Sequence, residues 1–419
     1  MKSNFILEKL LVRIGDTAVE VGINNLLRIR YYEDITRASV NVEITISDSQ
    51  DGRMSEVFGM ESVYLQFSDN KTSNPTRTQL NLIVYEVKNR EIIDGKQMKV
   101  TLCCCNPDIT NSAGILISQQ YEDTNITDIV RSLLSKALKT QIPLTYSDKS
   151  NNNITFLTNY WNPIQIIQWL SDKAIYSKKS GKSATAGFLF FQNKEGYNWR
   201  AMDSLVVQDP LYELSTGVDL SEQEREEGRK IEITNFLSKE TSNVLQGLNY
   251  GSYSSRVTVF DVGTQKVQDF DFNGYNLYNN IPRLNQSNLP DSYSNMEKKP
   301  SRIMTKVINS KLFNAGEYTK DIPKILSQSS FRNKMFFNKQ AEAEFIGDHT
   351  INVGDVVLVQ NYVGPQRSLD PVNSGKYIVG KILREYTTTE DSMRTRLTLY
   401  NDSPGTGQDT VNPISSLLQ

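Results

Sequence analysis

The chain has one histidine in 419 residues, His349, and its three cysteines stand side by side as Cys103-Cys104-Cys105. A single imidazole excludes an HExxH zinc site, and any Ser-His-Asp arrangement would have to use His349. That residue lies in Gly347-Asp348-His349-Thr350, which reads as a hairpin tip, so a structural or exposed role is expected. Consecutive cysteines make no disulfide framework and agree with reducing conditions. In a strand Cys103 and Cys105 share one face and Cys104 takes the other, so at most two thiolates converge and no histidine is near. Small packed residues at the end of a barrel strand are the expectation. No catalytic, cofactor-binding or metal-binding residue is assigned.

Long apolar runs are also missing. Nothing approaches the roughly 18 consecutive apolar residues of a membrane helix, so no membrane segment is expected. The first residues, MKSNFILEKLLVRIGD, lack the uninterrupted apolar core and small-residue cleavage site of a signal peptide. A cytoplasm-like compartment is the expectation. Basic and acidic residues balance, 46 against 48 for a net charge of -2, and no basic stripe could neutralise phosphates over a wide surface. This excludes a conventional nucleic-acid-binding protein.

Two further patterns do not carry chemistry. Ser180-Gly181-Lys182-Ser183 imitates the end of a phosphate-binding loop, but Tyr176 occupies the position where the motif needs glycine, and a helix rather than a strand precedes it. Glu342 with Glu344, or Glu385 with Glu390, could in principle hydrolyse a glycoside. Strand alternation places them on a solvated face instead.

What the sequence does contain is strand periodicity. Val40, Val42, Ile44 and Ile46 alternate with Asn41, Glu43, Thr45 and Ser47; Val63 to Phe67, Leu80 to Val84 and Met98 to Cys104 repeat the pattern, the last after an Asp94-Gly95 turn. With extended segments at Phe5–Arg13 and Leu26–Tyr32, this predicts a closed antiparallel barrel over residues 1–107. The pattern then changes. Ile126 to Leu138 recur at helical spacing behind Asn125, and Asn162-Pro163 opens a second helix carrying Ile166, Ile167, Leu170 and Ala174. A hairpin around Asn193–Gly196 completes a mixed α/β domain over 108–221. A second barrel is expected over 222–402, entered through the charged run Glu222–Arg229. It carries an aperiodic insertion at about 273–330 and a helix over 331–340, and a flexible tail follows at 403–419. The fold class is mainly β: two similar antiparallel tube-like barrels plus a small mixed domain.

Near the C-terminus, strands lead through Gly354-Asp355-Val356-Val357 and the turn-rich Asp370-Pro371-Val372-Asn373-Ser374-Gly375-Lys376-Tyr377 to a closing Thr395-Arg396-Leu397-Thr398-Leu399. Tyr85–Leu102 and Lys381–Leu399 share one design of strand, charged turn, methionine and strand, with Lys99–Leu102 set against Arg396–Leu399. This indicates a duplicated β domain.

The order of these C-terminal strands resembles the baseplate central hub proteins of contractile-tailed bacteriophages, which are related to the hub part of type VI secretion spike proteins. The resemblance is specific from about Phe331 to Tyr400 and weaker over the first 105 residues. It implies a homotrimer whose six barrels match a hexameric tube. The tail tube protein would lie above it and the central spike protein below, with tape measure and baseplate wedge proteins as further partners. DNA would pass through the lumen without specific binding, in a virion tail baseplate assembled in the host cytoplasm. It implies no cofactor and no enzymatic activity. The hub of a secretion or extracellular injection apparatus is a variant of the same reading; a β-rich cell-wall hydrolase or carbohydrate-binding protein is the alternative from another class.

Overall fold

The computed structural model describes residues 5–48, 53–69, 77–93, 97–176, 185–217, 229–240, 243–251, 253–285, 300–311, 316–347, 350–364 and 368–403. His349, Ser180–Ser183, the Asp94-Gly95 turn, most of Glu222–Arg229 and the tail beyond 403 lie outside the described residues.

Seven strands form the first barrel: β1 (Phe5–Ile14), β2 (Thr17–Glu20), β3 (Leu26–Asp34), β4 (Asn41–Asp48), β5 (Ser62–Asp69), β6 (Arg77–Ile93) and β7 (Gln97–Cys105). They pair antiparallel in the order β2-β1-β5-β6-β7-β4-β3. Alternation decides their inner face: Val42, Ile44 and Ile46 are buried while Asn41 and Glu43 remain half exposed.

The mixed unit follows as α1 (Pro107–Ala113), β8 (Gln120–Asn125), α2 (Ile126–Ser132), β9 (Leu144–Ser147), β10 (Asn153–Leu157), α3 (Pro163–Ser171), β11 (Phe188–Asn193), β12 (Gly196–Ala201) and α4 (Met202–Leu205). The Asn125 side chain accepts from the Thr127 N–H and caps α2, which widens into a π turn at Leu133–Ala137. Asn162 and Gln165 form a reciprocal capping box on α3. Trp199, fully buried, stacks on Phe188 with ring centroids 4.9 Å apart and centres this core.

The second barrel uses β13 (Tyr212–Thr216), β14 (Lys230–Ile233) and β15 (Asn235–Glu240). An inserted unit follows, made of α5 (Val244–Asn249), β16 (Ser254–Asp261), β17 (Lys266–Asn273), α6 (Gly274–Asn280), β18 (Arg302–Ile308) and α7 (Gly316–Phe336). The barrel resumes with β19 (Lys339–Ile346) and β20 (Val356–Gln360), passes through the short pair β21 (Tyr362–Val363) and β22 (Ser368–Leu369), and closes with β23 (Gly375–Thr387) and β24 (Ser392–Asn401). Its strand order is β15-β19-β24-β23-β20-β13-β14.

Three sequence expectations need correction here. Tyr212–Thr216 belongs to the second barrel, because it pairs in parallel with β14 and β20. The stretch 273–330 is not without regular structure: β18 pairs with β16 along its whole length, and its period is hidden because the apolar Ile303 and Val307 lie on the exposed face opposite the half-buried Met304 and Ile308. The helix expected at 331–340 begins at Gly316, runs through Pro323 and stops at Phe336, where the alternation of β19 takes over. Arg332 of α7, with no exposed surface, lies 3.1 Å from Asp203 and 3.2 Å from Asp402, tying the insertion to the mixed unit and to the end of β24.

The duplication extends to individual bonds. In chain order, β3-β4-β5-β6-β7 and β15-β19-β20-β23-β24 adopt one antiparallel arrangement, β5-β6-β7-β4-β3 against β20-β23-β24-β19-β15. In the first barrel the Met60 N–H donates to the Val84 carbonyl and the Val84 N–H to the Glu61 carbonyl. In the second, Gly354 donates to Val379 and Val379 to Asp355. Met60 and Gly354 both have positive φ, 73° and 96°. Beside each bonded valine the strand bulges, at Tyr85 and at Gly380. This equivalence sets Met98 against Met393 and Leu102 against Leu397. The repeat read from sequence, with Leu102 against Leu399, is therefore off by two residues, a slip that keeps every side chain on its proper face.

The bulge at Gly380 tolerates no side chain, since a Cβ there would lie 2.1 Å from the Tyr400 ring. Gly380→Ala is expected to lower stability by about 1–3 kcal/mol through overpacking, read as a fall in urea midpoint at unchanged slope.

Candidate functional site: the barrel joint and its polar face

Barrels normally abolish sheet edges, yet here the two share one sheet of fourteen strands among the described residues. The joint is the antiparallel pairing of β23 with β3, from Lys381 opposite Asp34 to Thr387 opposite Arg28. Strand alternation then gives this joint two faces of different character.

On the inner face, Tyr386 of the second barrel stacks on Phe5 of the first at 4.0 Å and enters the first core together with Met393. Beside it lies a buried ion pair. Arg384 Nη1 stands 3.3 Å from Glu33 Oε1, and Arg384 Nη2 donates to the Ile351 carbonyl at 2.7 Å. Glu33 also accepts from the Tyr31 hydroxyl at 2.7 Å and from the backbone N–H groups of Lys194 and Val353, at 3.3 and 3.2 Å. One carboxylate thus gathers both barrels and the β11–β12 hairpin. Desolvating it is tolerable because each oxygen has donors.

The outer face is polar and continuous across β15-β19-β24-β23-β3-β4-β7-β6, and its charges are matched strand to strand. Arg30 donates to Glu385 at 2.6 Å and lies 3.9 Å from Glu43. Lys381 pairs with Asp34 at 3.1 Å, and Lys88 with Glu86 at 3.4 Å. Arg394 and Arg396 both reach Glu344, at 3.3 and 3.2 Å, and Lys239 pairs with Glu342 at 2.5 Å. Burial opposes the charge on Arg30, but the hydrogen bond and charge of Glu385 outweigh it, so its affinity for the proton rises. Such exposed pairs add little stability individually. Their collective effect is a wall with no net field of one sign.

The carboxylates considered for hydrolysis fall on this wall. Glu342, Glu344 and Glu385 are each held by a cation, and Glu390 lies in the turn after β23 rather than on a strand, 2.6 Å from Arg394. Cys104 points into the first core, where burial raises its thiol pKa. Burial also raises Cys103, and pushes Cys105 up to about 11. All three stay as thiols, buried at the inner end of β7.

Sequence reasoning missed Glu33 and Arg384, although a signal was present. Each is a charge in the inward phase of its strand, Glu33 with Ile29 and Tyr31, Arg384 with Ile382 and Tyr386. Two opposite charges on apolar faces are a pattern for a buried pair.

No protein-family model matches the chain, and no curated protein matches its sequence. Solved structures do match in shape. The 43 kDa tail protein of prophage MuSo2 from Shewanella oneidensis aligns over 94% of this chain and 99% of its own at 9% identity, with a TM-score of 0.55. A tail protein from Neisseria meningitidis MC58 aligns over 95% and 97% at 10% identity, with a TM-score of 0.52.

Two outcomes test the joint. Removing the guanidinium in Arg384→Ala leaves Glu33 buried without its cation and is expected to cost about 3–5 kcal/mol, measured by urea unfolding. The second concerns Asp355 beside it. Burial pushes that carboxyl up from 3.8 to about 6, with Glu33 and Glu195 adding to the rise and Lys194 and the Asn352 N–H opposing it. The folded chain then binds this proton more tightly than the unfolded chain, so the group costs stability as pH rises through that window. Asp355→Asn is expected to gain about 1–3 kcal/mol over wild type at pH 7.5 and nothing below pH 4. The two barrels, their shared sheet and the mixed unit beside them have the fold of these two tail proteins.

Proposed function

We propose that the chain is a structural component of a phage tail baseplate. In this reading three copies form a central hub that adapts a sixfold tail tube to a threefold spike and walls part of the channel through which DNA is ejected. The observation that carries the reading is the joint: two barrels with the same strand arrangement, placed side by side in one sheet, so that one chain counts as two units around an axis. Resemblance in shape to two tail proteins along almost the whole chain supports it.

The polar face suits the wall of such a channel. A lumen of unpaired lysine and arginine would release counterions from DNA and hold it, whereas compensated pairs let it slide. The tail tube and the spike would bind the two rims of the ring, with tape measure and wedge proteins as further contacts. The chain would be assembled in the host cytoplasm and retained in the virion. Residues 1–107 and 108–211 would act as first barrel and peripheral mixed domain and 212–402 as second barrel with its inserted unit, followed by 403–419 as a tail. The reading assigns no catalytic role, since each strand carboxylate considered for hydrolysis is occupied by a cation.

Sedimentation equilibrium of the purified chain, alone and with its spike partner, tests the assembly. The expected mass is three times 47.6 kDa. A monomer under both conditions contradicts the hub.

A further inference from the structure

The duplication that equates β3 with β15 and β23 with β6 leaves two strands without the partner their counterparts have. β23 meets β20 through Val356–Val359 and then β3 from Lys381 onward. Its counterpart β6 meets β5 up to Ile83, but from Glu86 to Ile93 its only ladder among the described residues is with β7. At the other end of the sheet β3 pairs with both β4 and β23, whereas among the described residues β15 pairs only with β19. The vacant edge on β6 is the one that takes β3 in the second barrel, and β15 is the strand that corresponds to β3.

The side chains carry the equivalence further. Beyond the second bulge of β6, at Asn89 with φ of 51°, Arg90 takes the place of Arg384. Arg384 donates to the Ile351 carbonyl and Arg90 donates to the carbonyl of Val57, in the corresponding loop. Ile92 takes the place of Tyr386. Tyr386 is 2% exposed because it fills the neighbouring barrel, while Ile92 is 74% exposed. Phe58, Met60 and Tyr85, which border this edge, are 80, 63 and 48% exposed. An apolar border along an open strand edge marks a site for another chain.

Resting on the ring reading, we infer that the edge of β6 in one copy pairs antiparallel with β15 of the next, repeating between chains the joint that β23 and β3 make within one. Pairing in the same register sets Arg90 opposite Ser238, Glu91 opposite Leu237 and Ile92 opposite Phe236, and it delivers Ile92 to the core of the second barrel beside Phe236. The occupant is a second copy of this chain because the joint it would complete already exists inside the molecule. Repeating one joint between and within chains also closes a ring of alternating barrels with no free edge. Lys88 and Lys239, held by Glu86 and Glu342 of their own chain, keep these edges charged and unattractive to unrelated strands.

The test is disulfide trapping in the full chain carrying Glu91→Cys with Leu237→Cys, both exposed positions, the native thiols being buried. Oxidation is expected to yield covalent dimer and trimer, and neither single variant should yield either. A second variant, Arg90→Glu, is expected to weaken association at least tenfold in sedimentation while far-UV circular dichroism keeps the wild-type strand signal. If wild type assembles but the pair does not link and Arg90→Glu assembles normally, this joint is wrong and the ring reading survives. If wild type never assembles, with or without the spike, both fall.

Discussion

The structure depends on the pairing of β23 with β3. A barrel satisfies its own backbone, so two barrels joined by a flexible linker would each close and tumble separately. Here one strand from each is committed to the other, and alternate residues along Lys381–Thr387 and Arg28–Asp34 direct their N–H and C=O groups across the joint while the others bond to β24 and β4. That commitment fixes the angle between barrels, and the Glu33–Arg384 pair fixes the register. Sliding β23 by one residue would turn Arg384 out to solvent and leave Glu33 buried with its cation lost. The mixed unit is placed by the same carboxylate through the Lys194 N–H, so three parts of the molecule share one electrostatic anchor.

Two faces of one sheet then divide the labour. The inner face carries stability, with Tyr386 and Met393 of the second barrel packed in the core of the first. The outer face carries little stability and much surface chemistry. Its pairs, Arg30 with Glu385 and Lys381 with Asp34 among them, cross the joint itself, so the charge pattern runs from one barrel to the next without a seam. A wall of this kind neither attracts nor repels a polyanion strongly, which is the property a conduit needs.

Much of the fold was legible because alternation is a local property. Val42, Ile44 and Ile46, or Ala341, Ala343 and Phe345, declare a strand and its inner face without reference to anything distant. The helices at Asn125 and Asn162 were legible for the same reason, since capping is a matter of neighbours. What sequence concealed was non-local. β18 leaves the apolar Ile303 and Val307 exposed and only Met304 and Ile308 half-buried, so no polar-out alternation marks it as a strand, and its pairing with β16 is what defines it. The duplicated hairpins were recognised two residues out of register, because Lys99–Leu102 resembles Arg396–Leu399 in composition, whereas the true equivalence is set by bulges at Tyr85 and Gly380. The site was partly legible: the outer carboxylates were read as a solvated face, while the buried pair of Glu33 and Arg384 went unread, because pairing charges 351 residues apart requires knowing that the barrels touch.

The central claim is that one chain supplies two equivalent units of a closed ring. Electron microscopy of the assembled chain, averaged without imposed symmetry, tests it most directly. The account predicts six similar lobes around one open hole, with the sheet face bearing Arg30, Glu43 and Glu385 turned toward the hole. A particle with three lobes, with no hole, or with that face on its outer rim would contradict it.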